Sequence, residues 1–163
     1  MIKQIPALDG YEIAVSAPTA FTGASGARGD KDTASGAWTI FQVNGDVVVR
    51  IFGVSTLTPV GTSGTLEVGV AGNTAALIAL TTATGIATGY LWSDTSPSVS
   101  VDLLSTVLGP YVIVNGADII ETTKTTDLTA GNIYYVCAWR PLSPGSSVKG
   151  VPITGGASVR FDS

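Results

Sequence analysis

The chain has 163 residues, enough for one domain with its own hydrophobic core. Only 12 % of the residues are charged, with 8 Lys and Arg against 12 Asp and Glu, and His is absent. The net charge of −4 and the lack of basic clusters exclude nucleic acid as an expected partner. The missing His removes the commonest general base and metal ligand, and the single Cys137 leaves neither a disulfide framework nor a multi-cysteine zinc site. No apolar run reaches the ~18 residues of a membrane helix, and Met1 to Pro6 lacks the pattern of a secretory signal.

Strand signals recur along the whole chain. Glu12 to Ser16 alternates, with Ile13 and Val15 on one face. Trp38 to Val43 and Asp46 to Phe52 are β-branched and aromatic runs separated by Asn44-Gly45, which predicts a tight hairpin with positive φ in its turn. Thr65 to Val70 places Leu66, Val68 and Val70 inward, and Gly72-Asn73 turns the chain into Ala75 to Leu80, read as a strand for its shortness and flanking Thr and Gly. Ile86 to Trp92 and Val99 to Leu103 are predicted strands around a turn at Asp94 to Pro97. Tyr111 to Val114 and Asp118 to Thr122 flank Asn115-Gly116, a second predicted hairpin. Asn132 to Arg140 alternates with Ile133, Tyr135, Cys137 and Trp139 on one face, and Ala157 to Phe161 is a last alternating strand.

No segment carries a sustained 3.6-residue period. The expected fold is all-β, an antiparallel β-sandwich or jelly-roll-like barrel of about nine or ten short strands. Residues 17–37 and 141–156 are rich in Gly, Pro and small residues and read as long loops. The expected organisation is an N-terminal arm and Gly-rich loop over 1–37 and a β-sandwich domain over 38–163.

Few residues suggest chemistry. Arg28-Gly29-Asp30 spells a tripeptide that some adhesion receptors read, but a solvated turn is the simpler reading of three residues. Asp30-Lys31-Asp32 lacks the further oxygen ligands of a calcium loop. Asp118, Glu121 and Asp127 offer carboxylates for glycoside hydrolysis, without a motif that fixes their separation. Cys137 has no base to activate it and reads as a buried small hydrophobe. Trp38 and Trp139 read as core anchors, whereas Tyr90 and Trp92 are candidates for an exposed glycan-stacking pair. No catalytic activity, metal or cofactor is expected.

Two segments carry a resemblance. Gly116-Ala117-Asp118-Ile119-Ile120-Glu121-Thr122, followed by Tyr134-Tyr135-Val136-Cys137-Ala138-Trp139-Arg140-Pro141-Leu142-Ser143, resembles the C-terminal part of small virion proteins of tailed bacteriophages. Gly69 to Ala79 is similar in style, so the resemblance spans roughly residues 35–143. It implies an auxiliary particle component of the capsid decoration (cement) type. Such a protein would be assembled in the host cytoplasm, sit on the outer capsid surface as a homotrimer, and clamp the lattice of the major capsid protein. The alternative is a receptor- or carbohydrate-binding β-sandwich of a phage tail or fibre. Ile2, Ile5 and Phe21, apolar outside any predicted strand, and the charged Arg28, Asp30, Lys31 and Asp32 are the expected partner contacts, with the loop at 144–156 next.

Overall fold

The computed structural model describes residues 10–32, 37–94, 97–99 and 109–151. Two antiparallel sheets face each other. The first contains β1 (Glu12–Val15), β3 (Val47–Val60), β6 (Tyr90–Trp92), β7 (Ser98–Val99), β8 (Tyr111–Ile113) and β10 (Ala130–Pro141), in the order β1-β10-β3-β6-β7, with β8 also paired to β3. The second runs β11-β2-β9-β4-β5, where β2 is Ala37–Asn44, β4 Thr65–Val70, β5 Asn73–Thr82, β9 Ile119–Lys124 and β11 Ser147–Gly150. The all-β expectation is met as a sandwich of two open sheets; the strands do not close into a barrel.

Period-2 patterning decides what is buried. Along β3, Val47, Val49, Ile51, Gly53 and Ser55 face the core, and Val48, Arg50, Phe52 and Val54 face outward. Its partner β10 places Ile133, Tyr135, Cys137 and Trp139 inward, as the sequence predicted. The opposite sheet contributes Phe41, Val43, Leu66, Val68, Ile78 and Ile119 to the same core.

Both Asn-Gly turns form, but neither makes a hairpin. β2 and β3 lie in different sheets, and so do β8 and β9. Asn115 (φ 57°) and Gly116 (φ 67°) both take positive φ, whereas at the first turn Gly45 (φ 70°) does and Asn44 stays in β2, so the expected turn chemistry holds in full only at the second turn, and the structural use differs at both. Each turn carries the chain from one sheet to the other. So does the loop from β10 to β11. The three crossovers stack at one end of the sandwich. The Gly116 amide donates to the Gly45 carbonyl (3.1 Å), and Asp46 Oδ1 accepts from the Asn115 amide (2.9 Å). The Asp46 amide and carbonyl bond Ser143 Oγ and the Leu142 amide. Backbone groups at a turn need such partners when strand pairing does not supply them.

Two further expectations of strand and loop change. Ile86 to Trp92 is not one strand: a short 3-10 turn at Ala83–Gly85 precedes, and only Tyr90–Trp92 pairs. The predicted loop 141–156 contains β11, which pairs with β2 along Asn44 to Phe41. Of Val99 to Leu103 only Val99 is described, and Ala157 to Phe161 lies outside the described residues. Within the stretch expected to be an N-terminal arm, β1 is an edge strand of the first sheet, with Ala14 beside Cys137.

Candidate functional site

The residues singled out for binding separate into three groups. Ile2 and Ile5 lie outside the described residues. Phe21, Arg28 and Asp30 are buried, at 1 %, 2 % and 7 % exposure. Only Lys31 and Asp32 reach the surface, where they pair with each other. Phe21, Arg28 and Asp30 are therefore not surface contacts in this structure: Phe21 and Arg28 hold the 17–32 segment onto the sandwich, and Asp30 accepts from the Gly26 and Asp32 amides within that segment. The Arg28-Gly29-Asp30 tripeptide is not presented at a loop tip.

Arg28 spans the interior to Glu121 on β9. Its Nε donates to Oε1 (2.9 Å) and Nη2 to Oε2 (2.5 Å), while Nη1 donates to the Thr19 carbonyl (2.5 Å). The guanidinium lies over the Phe21 ring at 4.2 Å. Tyr135, from β10 in the other sheet, donates its hydroxyl to Glu121 Oε2 (2.5 Å). A bidentate pair with a further hydrogen bond on each partner is how a buried charge is tolerated. Burial works against the Arg28 charge, and Glu121 more than offsets it, so its pKa is raised. Burial and the Glu121 carboxylate push the Tyr135 hydroxyl well above its ordinary range against the opposing pull of Arg28.

Glu121 was missed as a structural centre, although a signal exists. It sits at the inward parity of β9 between Ile119 and Thr123, and an acid there requires an internal cation. The other candidate carboxylates do not join it. Asp118 accepts from the Val43 amide (2.9 Å) and Asp127 from the Lys31 amide (3.0 Å). A cavity of about 20 Å³ beside Arg28, lined by Ser16, Thr19, Trp38 and Ile40 among others, has room for about one water. No cluster of three or more His, Cys, Asp or Glu residues suited to a metal occurs among the described residues.

The proposed glycan pair is also corrected. Trp92 is fully buried, its indole N–H donates to Thr81 Oγ1 (3.0 Å), and its ring packs 6.1 Å from that of Tyr135. Tyr90 is half-buried and has no exposed aromatic partner in Trp92. The expected parity of a strand ending at Trp92 is set by Gly53, opposite it on β3, which leaves space for the indole. A shallow groove of about 520 Å³ runs beside β5, lined by residues including Ala79, Thr81, Ser93 and Asp94. Its strand edge is already capped, since Asp94 Oδ1 accepts from the Ala79 amide and Thr81 Oγ1 donates to the Ala79 carbonyl.

The feature that sequence reading did not single out is the outer face of the six-stranded sheet. Register builds it in rows: Val112–Val48–Arg140, Arg50–Ala138–Ile13, Phe52–Val136–Val15 and Leu91–Val54–Tyr134. Ten of these twelve positions are apolar. Ile13 is 52 % and Val112 63 % exposed. Arg50 and Arg140 are the charged groups, no carboxylate stands in the rows, and both guanidinium groups lie near the Tyr11 ring, at 5.6 and 4.5 Å. Burial raises the Tyr11 pKa, and the two arginines outweigh it and lower it.

Comparison with family models, with curated proteins and with solved structures finds no match.

Proposed function

We propose that the protein is a structural virion protein of the tailed-bacteriophage kind, acting as a capsid decoration (cement) protein that binds the outer shell and stabilises it. The observation that carries this reading is the apolar outer face of the six-stranded sheet, on which Ile13 and Val112 are exposed. A sheet face that meets only water carries polar residues at alternate positions. Here the outward positions of β3 and β10 are instead Val48, Phe52, Val54, Tyr134, Val136 and Ala138 around two arginines. Contiguous apolar surface of this kind marks an interaction site.

The resemblance of residues 116–143 to small virion proteins supplies the particle. The sparse charge of the chain, 12 %, suits repeated protein contacts, because charge opposes association. A shell offers many equivalent sites, so each contact can be small and still hold through avidity. Three copies acting together as a homotrimer would multiply that gain. The buried charges of Arg28 and Glu121 serve rigidity rather than chemistry in this reading.

The test uses virions of the phage whose genome encodes the chain. The protein should be present in purified particles, re-bind shells stripped of it, and raise the temperature at which those shells rupture. Its absence from purified particles, together with failure of the purified protein to bind stripped shells, would overturn the proposal.

A further inference from the structure

The turns at Asn44-Gly45 and Asn115-Gly116 share a local sequence, Val-Asn-Gly, and differ in one chemical respect. Asn is a labile residue, most of all before Gly, which has no side chain to hinder ring closure. The Gly amide nitrogen attacks the Asn Cγ, and the new N–Cγ bond closes a succinimide ring as the Cγ–Nδ2 bond breaks. The amide proton leaves with Nδ2 as ammonia. Water then opens the ring at either carbonyl, giving aspartate, or isoaspartate when the main chain is left running through the former side chain. The sum is Asn plus water to Asp or isoaspartate plus ammonia, with no catalyst and no change of oxidation state.

The attack requires the Gly amide to give up its proton. An amide held in a hydrogen bond therefore reacts slowly, as it does in hydrogen exchange. At the second turn the nucleophile is held, because the Gly116 amide donates to the Gly45 carbonyl (3.1 Å). At the first turn the Gly45 amide has no acceptor among the described residues. Accessibility does not separate the two sites, since Asn44 and Asn115 are both exposed. The Asn44 side chain is restrained by one bond, from Nδ2 to the Gly145 carbonyl (3.2 Å), which water can replace at an exposed position. We infer that Asn44 is a site of spontaneous deamidation, and that Asn115 is protected from the same reaction by the Gly116 to Gly45 hydrogen bond. This inference does not depend on the virion reading.

The place of Asn44 gives the reaction a structural effect. Gly45 is closely packed: a Cβ there would lie 2.5 Å from Ser146 Oγ and 3.1 Å from Ser143 Oγ. Isoaspartate at position 44 adds a methylene to the main chain just before that turn, which has no slack to absorb it. The Gly45 carbonyl is drawn away from the Gly116 amide, and the end of the sandwich where the crossovers stack is loosened. The new carboxylate also turns an acceptor toward the Gly145 carbonyl in place of a donor. The change runs one way and accumulates with the age of the chain.

The experiment incubates the purified full chain in mildly alkaline buffer, native in one series and unfolded in urea in the other. Tryptic peptides are followed by tandem mass spectrometry for the mass gain of replacing NH2 by OH. Asn44 lies in the peptide ending at Arg50 and Asn115 in the one ending at Lys124. An unincubated sample digested alongside removes the gain made during digestion. In the native series Asn44 should react about tenfold faster than Asn115, the order of factor that one amide hydrogen bond imposes. In urea the two should react at similar rates. The isoaspartate fraction, separated by ion exchange, should melt below both fresh protein and Asn44→Asp, which carries the same charge on an unaltered main chain. Native rates that are equal, or faster at Asn115, overturn the inference, and so does an Asn44 peptide that gains no mass. A ratio that persists in urea also overturns it, because the cause would then lie outside the fold. An isoaspartate fraction that melts with Asn44→Asp overturns the loosening of the crossover end.

Discussion

Arg28 and Glu121, 93 positions apart in sequence, meet inside the sandwich as a two-pronged ion pair from which solvent is excluded. Thr19, Phe21 and Tyr135 complete the surround. The pair is a rivet between an irregular segment and a central strand, and it makes the most direct predictions about stability.

Removing one partner strands the other charge in the interior. Glu121→Gln and Arg28→Ala should each cost about 3–5 kcal/mol, measured by urea unfolding. Replacing both with apolar residues of similar volume, Arg28→Met with Glu121→Leu, should recover much of that loss, since a buried pair contributes little net stability over packed hydrocarbon. A double variant no more stable than either single one would contradict this account.

A chain lacking residues 1–36 should fail to fold as the intact protein does. The deletion removes β1 from its place beside β10, takes Phe21 from the core and leaves Glu121 without Arg28. Loss of the cooperative melt, followed by near-UV circular dichroism, is the expected result. A truncated protein with an unchanged melting temperature would show that the segment is dispensable.

Gly29 takes φ +95°, and a Cβ there would lie 2.3 Å from the Leu128 carbonyl oxygen. Gly29→Ala should therefore destabilise by about 1–3 kcal/mol in denaturant titrations, from backbone strain and the displaced carbonyl together. Gly26, also at positive φ but with open space around it, isolates the backbone part of that cost.

Stability should fall in alkali. Burial and the Asp94 carboxylate raise Tyr111 from 10.0 to about 12, and Tyr135 is raised in the same direction. Each phenol keeps its proton longer folded than unfolded. The contribution is complete below pH 10, shrinks as the unfolded chain ionises first, and is gone once pH passes the folded value. Melting temperature against pH, with Tyr111→Phe as the comparison, checks it. Wild type and Tyr111→Phe should converge as the pH passes about 12.

Cys137 should react slowly with thiol reagents in the native protein and quickly in denaturant. It is buried between the sheets, and burial pushes its thiol up, so thiolate is scarce. Fast labelling without denaturant would mean that β10 exposes the opposite face.

Much of the fold was legible because alternation is a local property. Ile133 to Trp139 announces its buried face in seven residues, and Leu66 and Val68 do the same. What was not legible is where a strand goes after its turn. Asn44-Gly45 and Asn115-Gly116 have the residues a two-residue reversal needs, but whether the next strand pairs back or crosses to the opposite sheet depends on partners far along the chain. For Val47 to Val49 those partners are Pro141 to Trp139 and Ile113 to Tyr111. The candidate site was obscured for a related reason. Val48, Phe52 and Val136 look like ordinary core residues in sequence, and only register shows that they share the outward face. Arg28 misled in the opposite sense, since a charged residue among glycines reads as solvated until Glu121 is seen opposite it.

The place of β1 has a consequence for biosynthesis. Glu12 to Val15 leaves the ribosome long before its pairing partners, Trp139 to Val136. Arg28 waits likewise for Glu121, and Phe21 for Gly131, whose carbonyl accepts its amide. Closing such long loops is slow, because chain entropy is lost before any contact rewards it. The sandwich is therefore completed only after β10 has emerged, and until then the nascent chain carries a bare strand edge that a chaperone, or a neighbouring nascent copy, can engage.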